Sequence, residues 1–133
     1  MASEERLAAF VDSSAIVALV DEDDTAHSAA VEAYRELSTS GYRLFTTDHV
    51  VVEAYDLLWN GVGPVVAARW LRDHNLPVYC TDDADLAAAE AILAGRPADS
   101  PVSFTDAISL AVMERLGVAD AFAVDPAFLN ALS

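Results

Sequence analysis

Short continuous apolar runs alternate along this chain with longer stretches in which apolar residues recur every three or four positions. Residues 8–12, AAFVD, read as a buried strand ending at Asp12, and residues 14–20 as the helix that follows. Residues 24–39 predict a second helix, with Ala30, Tyr34 and Leu37 on one stripe and Gly41 as its stop. RLFTT (43–47) predicts a strand, and DHVVVEAYDLLW (48–59) a helix capped by Thr47 or Asp48. Beyond Gly61, Gly63 and Pro64 another helix covers 65–73. PVYC (77–80) is the third strand, and 83–94 an Ala-rich helix capped near Thr81 or Asp82. After a loop at 95–101 comes a strongly apolar helix over 104–116, ended by Gly117. AFAV (121–124) is the fourth strand, and a short last helix opens at Pro126, a favoured first helical position. Strands that are continuous apolar runs and alternate with helices indicate a parallel sheet covered on both faces. The expected fold is therefore a single α/β domain over 1–133, a three-layer α/β/α sandwich with a central parallel sheet.

Composition narrows the function. A hydrophobic fraction of 54% over 133 residues is enough for a real core and argues against disorder. Basic residues number 7 and acidic residues 22, for a net charge of −15, and every basic residue is Arg. Strong acidity without Lys resembles proteins that work in concentrated salt, and it leaves no broad basic footprint for nucleic acid. Arg69 and Arg72, beside Trp70 and His74, read as a solvated helix face or as a small phosphate-contacting rim. No apolar run reaches the length of a membrane span, and MASEER has the wrong charge for a signal peptide. A cytoplasmic protein is expected.

Four acids sit where folding alone does not want them. In a parallel sheet, ligands bind at the carboxyl ends of strands. Asp12 and Asp125 occupy that position on the first and fourth strands. Glu53 shares a helix face with Val50 and Leu57, and Asp106 lies near the start of the most apolar helix. Taken singly, each has an ordinary explanation as a helix cap, a first-turn acid or the edge of a solvated face. Taken together, four carboxylates in apolar surroundings need compensation, and a divalent cation with oxygen ligands supplies it. The runs DEDD (21–24) and TDDAD (81–85) read instead as helix-capping surface, the latter with an outer role at most.

Missing motifs remove other classes. Without Lys a P-loop is impossible, and GVGPVV follows a helix rather than a strand, which rules out a dinucleotide fingerprint. Receiver domains need a Lys opposite their acids, and haloacid-dehalogenase-like phosphatases need a second Asp where Ser14 stands. His27, His49 and His74 share no zinc-ligand spacing and read as helix-surface residues. Cys80 is the only cysteine and reads as buried strand filler. No Gly-x-Ser-x-Gly elbow occurs.

FVDSSAIVALVD, TTDHVVVEAYDLL, VSFTDAISLAVMERLGV and AFAVDPAFL resemble, in order, the four signature blocks of PIN domains, and most of all those of VapC-type toxins of type II toxin–antitoxin pairs. The resemblance implies a parallel-sheet nuclease fold and cleavage of RNA by a metal-activated water, with Mg²⁺ or Mn²⁺ held by Asp12, Glu53, Asp106 and Asp125. Ser14, Ser103 and Thr105 correspond to hydroxyls supporting those acids. It also implies a cognate antitoxin and a homodimer. The fourth block departs from the pattern: Ala123 stands where Thr or Ser is common, and Pro126 where a basic residue is common. An RNA-processing PIN nuclease without an antitoxin and a non-catalytic PIN-like binding module are the alternatives.

Overall fold

The computed structural model describes residues 7–132. The reading of MASEER as unlike a signal peptide lies outside the described residues. Eleven elements follow one another: β1 (Ala8–Val11), α1 (Ser13–Val20), α2 (His27–Thr39), β2 (Arg43–Thr47), α3 (Asp48–Gly61), α4 (Pro64–Asp73), β3 (Val78–Tyr79), α5 (Asp83–Ala94), α6 (Phe104–Leu116), β4 (Asp120–Phe122) and α7 (Pro126–Leu132). The four strands form one parallel sheet in the order β3-β2-β1-β4. Phe10 pairs with Phe45 on β2 and with Ala121 on β4, which places β1 at the centre. Helices flank the sheet, in agreement with the expected α/β/α architecture.

The apolar runs are continuous because β1 is buried along its length. Ala9, Phe10 and Val11 are almost wholly removed from solvent, and the Phe10 ring meets Phe45 edge-on and Phe128 at a tilt, each at 5.9 Å. Burying such a side chain contributes roughly 2 kcal/mol. One apolar cluster gathers β1 with α1, α3 and Phe128, while a second joins α5 to α6. Among the described residues no helix is long and apolar enough to cross a membrane.

Local chemistry sets the boundaries. Thr47 caps α3 by accepting the Val50 N–H, and Asp82 caps α5 in a reciprocal capping box with Asp85. Gly117 ends α6 at φ 69°, a left-handed turn that a side chain would strain.

Four expectations need correction. The helix read from residue 24 begins at His27, because the Asp24 carboxylate accepts the Ala26 N–H and holds residues 24–26 in a turn. The third strand is only two residues long, and Cys80 lies beyond it, exposed, rather than filling the core. The fourth strand starts at Asp120 and ends at Phe122, which leaves Ala123 and Val124 outside the ladder. The histidines are half-buried and engaged: His27 Nδ1 lies 2.8 Å from the Ala18 carbonyl, and His74 stacks on Trp70.

Candidate active site

The strand β1 ends directly at Asp12, whose N–H donates to the Phe122 carbonyl at 3.0 Å and ties it to the neighbouring strand. Asp12 caps α1. Its Oδ2 accepts the Ser14 N–H at 3.1 Å and the Ser14 hydroxyl at 2.5 Å. The residue is 2% exposed, and its second oxygen, Oδ1, is buried with no donor among the described residues. A buried, unpaired carboxylate oxygen is costly and calls for a partner.

Glu53 projects from α3, half-buried, and accepts the Ser13 hydroxyl. Asp106 lies in the first turn of α6 within a reciprocal capping box, where Ser103 N–H reaches its Oδ2 at 3.1 Å and Asp106 N–H reaches the Ser103 hydroxyl at 3.0 Å. Asp125 follows β4. Its N–H donates to Ser14 Oγ at 3.2 Å, and its carboxylate accepts the Ala127 N–H at the start of α7.

Electrostatics joins the four acids into one group. Burial is the main cause raising the proton affinity of Asp12, Glu53 and Asp106. Mutual repulsion adds to it: Asp106 acts on Asp12 and on Glu53, Asp12 on Glu53, and Asp125 on Asp106. Side chains from two strand–helix junctions and two helices therefore share one field at the carboxyl edge of the sheet. As placed, however, no three His, Cys, Asp or Glu side chains among the described residues are close enough to hold a metal ion. Ser14, Ser13 and Ser103 hold the carboxylates of Asp12, Glu53 and Asp106 each to its own anchor, and the Ala127 N–H holds that of Asp125. The donor set is all oxygen and anionic, as a hard divalent cation requires, and Asp12 Oδ1 stands free for it.

A PIN domain family model matches residues 9–131. The chain belongs to the PIN domain family. This PIN domain is also similar to a solved structure, VapC20 of Mycobacterium tuberculosis, described as a sarcin-ricin loop cleaving toxin. The TM-score is 0.77 at 30% identity, over 92% of this chain and 93% of that one. Among curated proteins none matches the sequence.

The departures of the fourth block acquire a physical reading in this PIN domain. Ala123 supplies no hydroxyl, and Ser14 Oγ accepts the backbone N–H groups of Val124 and Asp125 at 3.0 and 3.2 Å. Ser14 bonds to Asp12 and Ser103 to Asp106. Ser13 and Thr46 are the supporting residues that sequence reasoning missed. Ser13 anchors Glu53 from forty positions away, and the buried Thr46 hydroxyl donates to the Val11 carbonyl at 2.7 Å, securing the strand end before Asp12. The only signal of either was a hydroxyl next to an unexplained acid or at the end of an apolar strand. TDDAD, read as capping surface, does cap α5, but Asp85 within it is 1% exposed and paired with Arg115.

Proposed function

We propose that this PIN domain is a metal-dependent endoribonuclease and the toxin of a type II toxin–antitoxin pair. In this reading Asp12, Glu53, Asp106 and Asp125 are its Mg²⁺ or Mn²⁺ ligands, acting in the cytoplasm as a homodimer held in check by an antitoxin. The observation that carries the reading is Asp12 Oδ1, a buried carboxylate oxygen without a donor inside a group of mutually repelling acids. The likeness to VapC20 supports the toxin assignment and makes the sarcin-ricin loop the first RNA to try.

A bound divalent cation supplies a Lewis acid that polarises a phosphate and makes a water more acidic. The chain's own residues prepare for it. Ser14 fixes one Asp12 oxygen and leaves the other without a donor among the described residues, Ser103 orients Asp106, and Ser13 holds Glu53. Asp125 is steered through its backbone, by Ser14.

The test is cleavage of the sarcin-ricin loop and of total RNA with Mg²⁺ or Mn²⁺. Asp12→Asn and Asp106→Asn each lower the rate at least ~100-fold while the circular dichroism spectrum is unchanged. Full activity in either variant overturns the assignment. The spacing of the acids as placed favours one rival, a PIN-like module that binds without cutting. Titration calorimetry separates the two: that rival predicts no heat with Mn²⁺, whereas the nuclease binds the ion and loses it in Asp12→Asn.

A further inference from the structure

One constellation outside the four acids has no role so far. Asp48 and His49 open α3, and Thr81 follows β3, so two strand ends bring them together. The Asp48 carboxylate accepts the Thr81 N–H at 3.2 Å, the Thr81 hydroxyl at 3.0 Å and the His49 N–H at 3.0 Å. The buried part of Asp48 works against its charge, but the bonds from Thr81 and His49 outweigh this and hold its carboxyl below the usual range. His49 Nδ1 lies 3.2 Å from Asp48 Oδ1 and 3.0 Å from the Thr81 hydroxyl oxygen. Thr81 has one hydroxyl hydrogen, and Asp48 receives it. The two oxygens beside Nδ1 are then acceptors, so Nδ1 carries the ring proton. In the neutral imidazole this leaves Nε2 as a bare acceptor. The side chain is 39% exposed.

Position gives this acceptor a use. His49 precedes Glu53 by four residues, so the two occupy one face of α3 a single turn apart. In that neutral form Nε2 has no hydrogen to give a phosphate oxygen, which only accepts. A ribose 2′-hydroxyl can donate to it, and that hydroxyl is what distinguishes RNA from DNA.

We propose that His49, oriented by Asp48 and Thr81, is a positioning residue that accepts a hydrogen bond from a 2′-hydroxyl of the RNA beside the acid cluster, and so selects ribose. The inference rests on the ribonuclease reading above. The probe is the shortest oligoribonucleotide carrying the cleavage site mapped in total RNA, with 2′-deoxyribose introduced singly at each nucleotide around the cut. For the wild type, one such replacement raises KM roughly 5- to 10-fold, the size of a lost hydrogen bond. His49→Ala raises KM on the all-ribose oligonucleotide by about the same factor with kcat little changed, and the sensitive replacement then costs nothing more. His49→Gln, which keeps an acceptor and guards against a variant that fails to fold, retains part of the preference. Deoxy effects that are equal in wild type and His49→Ala, or absent from the wild type, overturn the role of His49 while cleavage itself stands. A wild type that cuts no RNA overturns both readings together.

Discussion

Ser14 joins Asp12 to Asp125, from which it stands 111 positions away in sequence: its hydroxyl donates to Asp12 Oδ2 at 2.5 Å and accepts the N–H groups of Val124 and Asp125. One oxygen thus positions two of the four acids. Ser14→Ala keeps the N–H that Asp12 caps but loses the hydroxyl bond to Asp12 and strands two backbone donors, so it destabilises the domain by about 2 kcal/mol. The same variant lowers cleavage because the two acids are no longer held in register. Denaturant unfolding and the Mg²⁺ dependence of cleavage check the two effects. An unaltered metal requirement in Ser14→Ala would show that the link is structural only.

The acid cluster also sets a pH dependence. Asp12, Glu53 and Asp106 hold protons more tightly in the folded chain than at their ordinary values of 3.8 for Asp and 4.5 for Glu, with burial as the first cause. The folded state then binds more protons than the unfolded one. The contribution of this trio is most favourable below those values and is lost as pH rises through the raised folded ones. Asp12→Asn, which still caps α1, therefore raises Tm at pH 7 without metal and changes it little near pH 4. Mg²⁺ stabilises the wild type at pH 7, by ~2.7 kcal/mol at one hundred times its Kd, and stabilises the variant less. Melting curves at the two pH values, with and without Mg²⁺, check both statements. An Asp12→Asn variant less stable than wild type at pH 7 without metal would contradict them.

Most of the fold was legible because its signals are local. The apolar runs ending at Asp12 and Thr47 needed no knowledge of their neighbours, and Thr47, Asp82 and Ser103 cap helices through bonds within four residues. What escaped reading depends on distant partners. β3 is cut to Val78–Tyr79 because it pairs only with the last two residues of β2, Thr46 and Thr47. The four acids were visible as misplaced charges, but Ser13 was not visible as the anchor of Glu53, since no local pattern connects residues forty positions apart. The engagement of Nδ1 in His49 was equally hidden, because Thr81 arrives from another strand.

The net charge of −15 has a consequence for the whole surface. Carboxylates outnumber the seven Arg threefold, and several Arg are already paired, Arg72 with Asp73 and Arg115 with Asp82 and Asp85. The remaining repulsion opposes the compact state. Raising salt shortens the screening length from about 10 Å at 0.1 M to about 3 Å at 1 M. Tm therefore rises between 0.1 and 2 M KCl, as read by differential scanning calorimetry. A flat melting temperature over that range would remove the resemblance to proteins of concentrated salt.

Arg115 stands apart from the other Arg residues because one of its partners is buried. Its Nη1 lies 2.9 Å from Oδ1 of Asp85, whose side chain is 1% exposed, and 3.1 Å from Asp82. Asp85 also accepts the Tyr79 hydroxyl at 3.0 Å and the Asp82 N–H at 3.1 Å, so one carboxylate joins β3, α5 and the last turn of α6. Arg115→Ala leaves that charge buried with neutral donors only. Removing one partner of a buried pair is strongly destabilising, and the half-exposed Arg115 softens the loss, because water takes part of its place. Arg35→Ala is the control. Arg35 meets Glu32 at 3.8 Å in open solvent, and its loss is worth at most a few tenths of a kcal/mol. Adding Asp85→Asn to Arg115→Ala removes the stranded charge while keeping an acceptor for Tyr79. Urea unfolding then shows the double variant more stable than Arg115→Ala alone. If the second substitution deepens the loss instead, Arg115 acts through packing of its aliphatic stem rather than through the charge of Asp85.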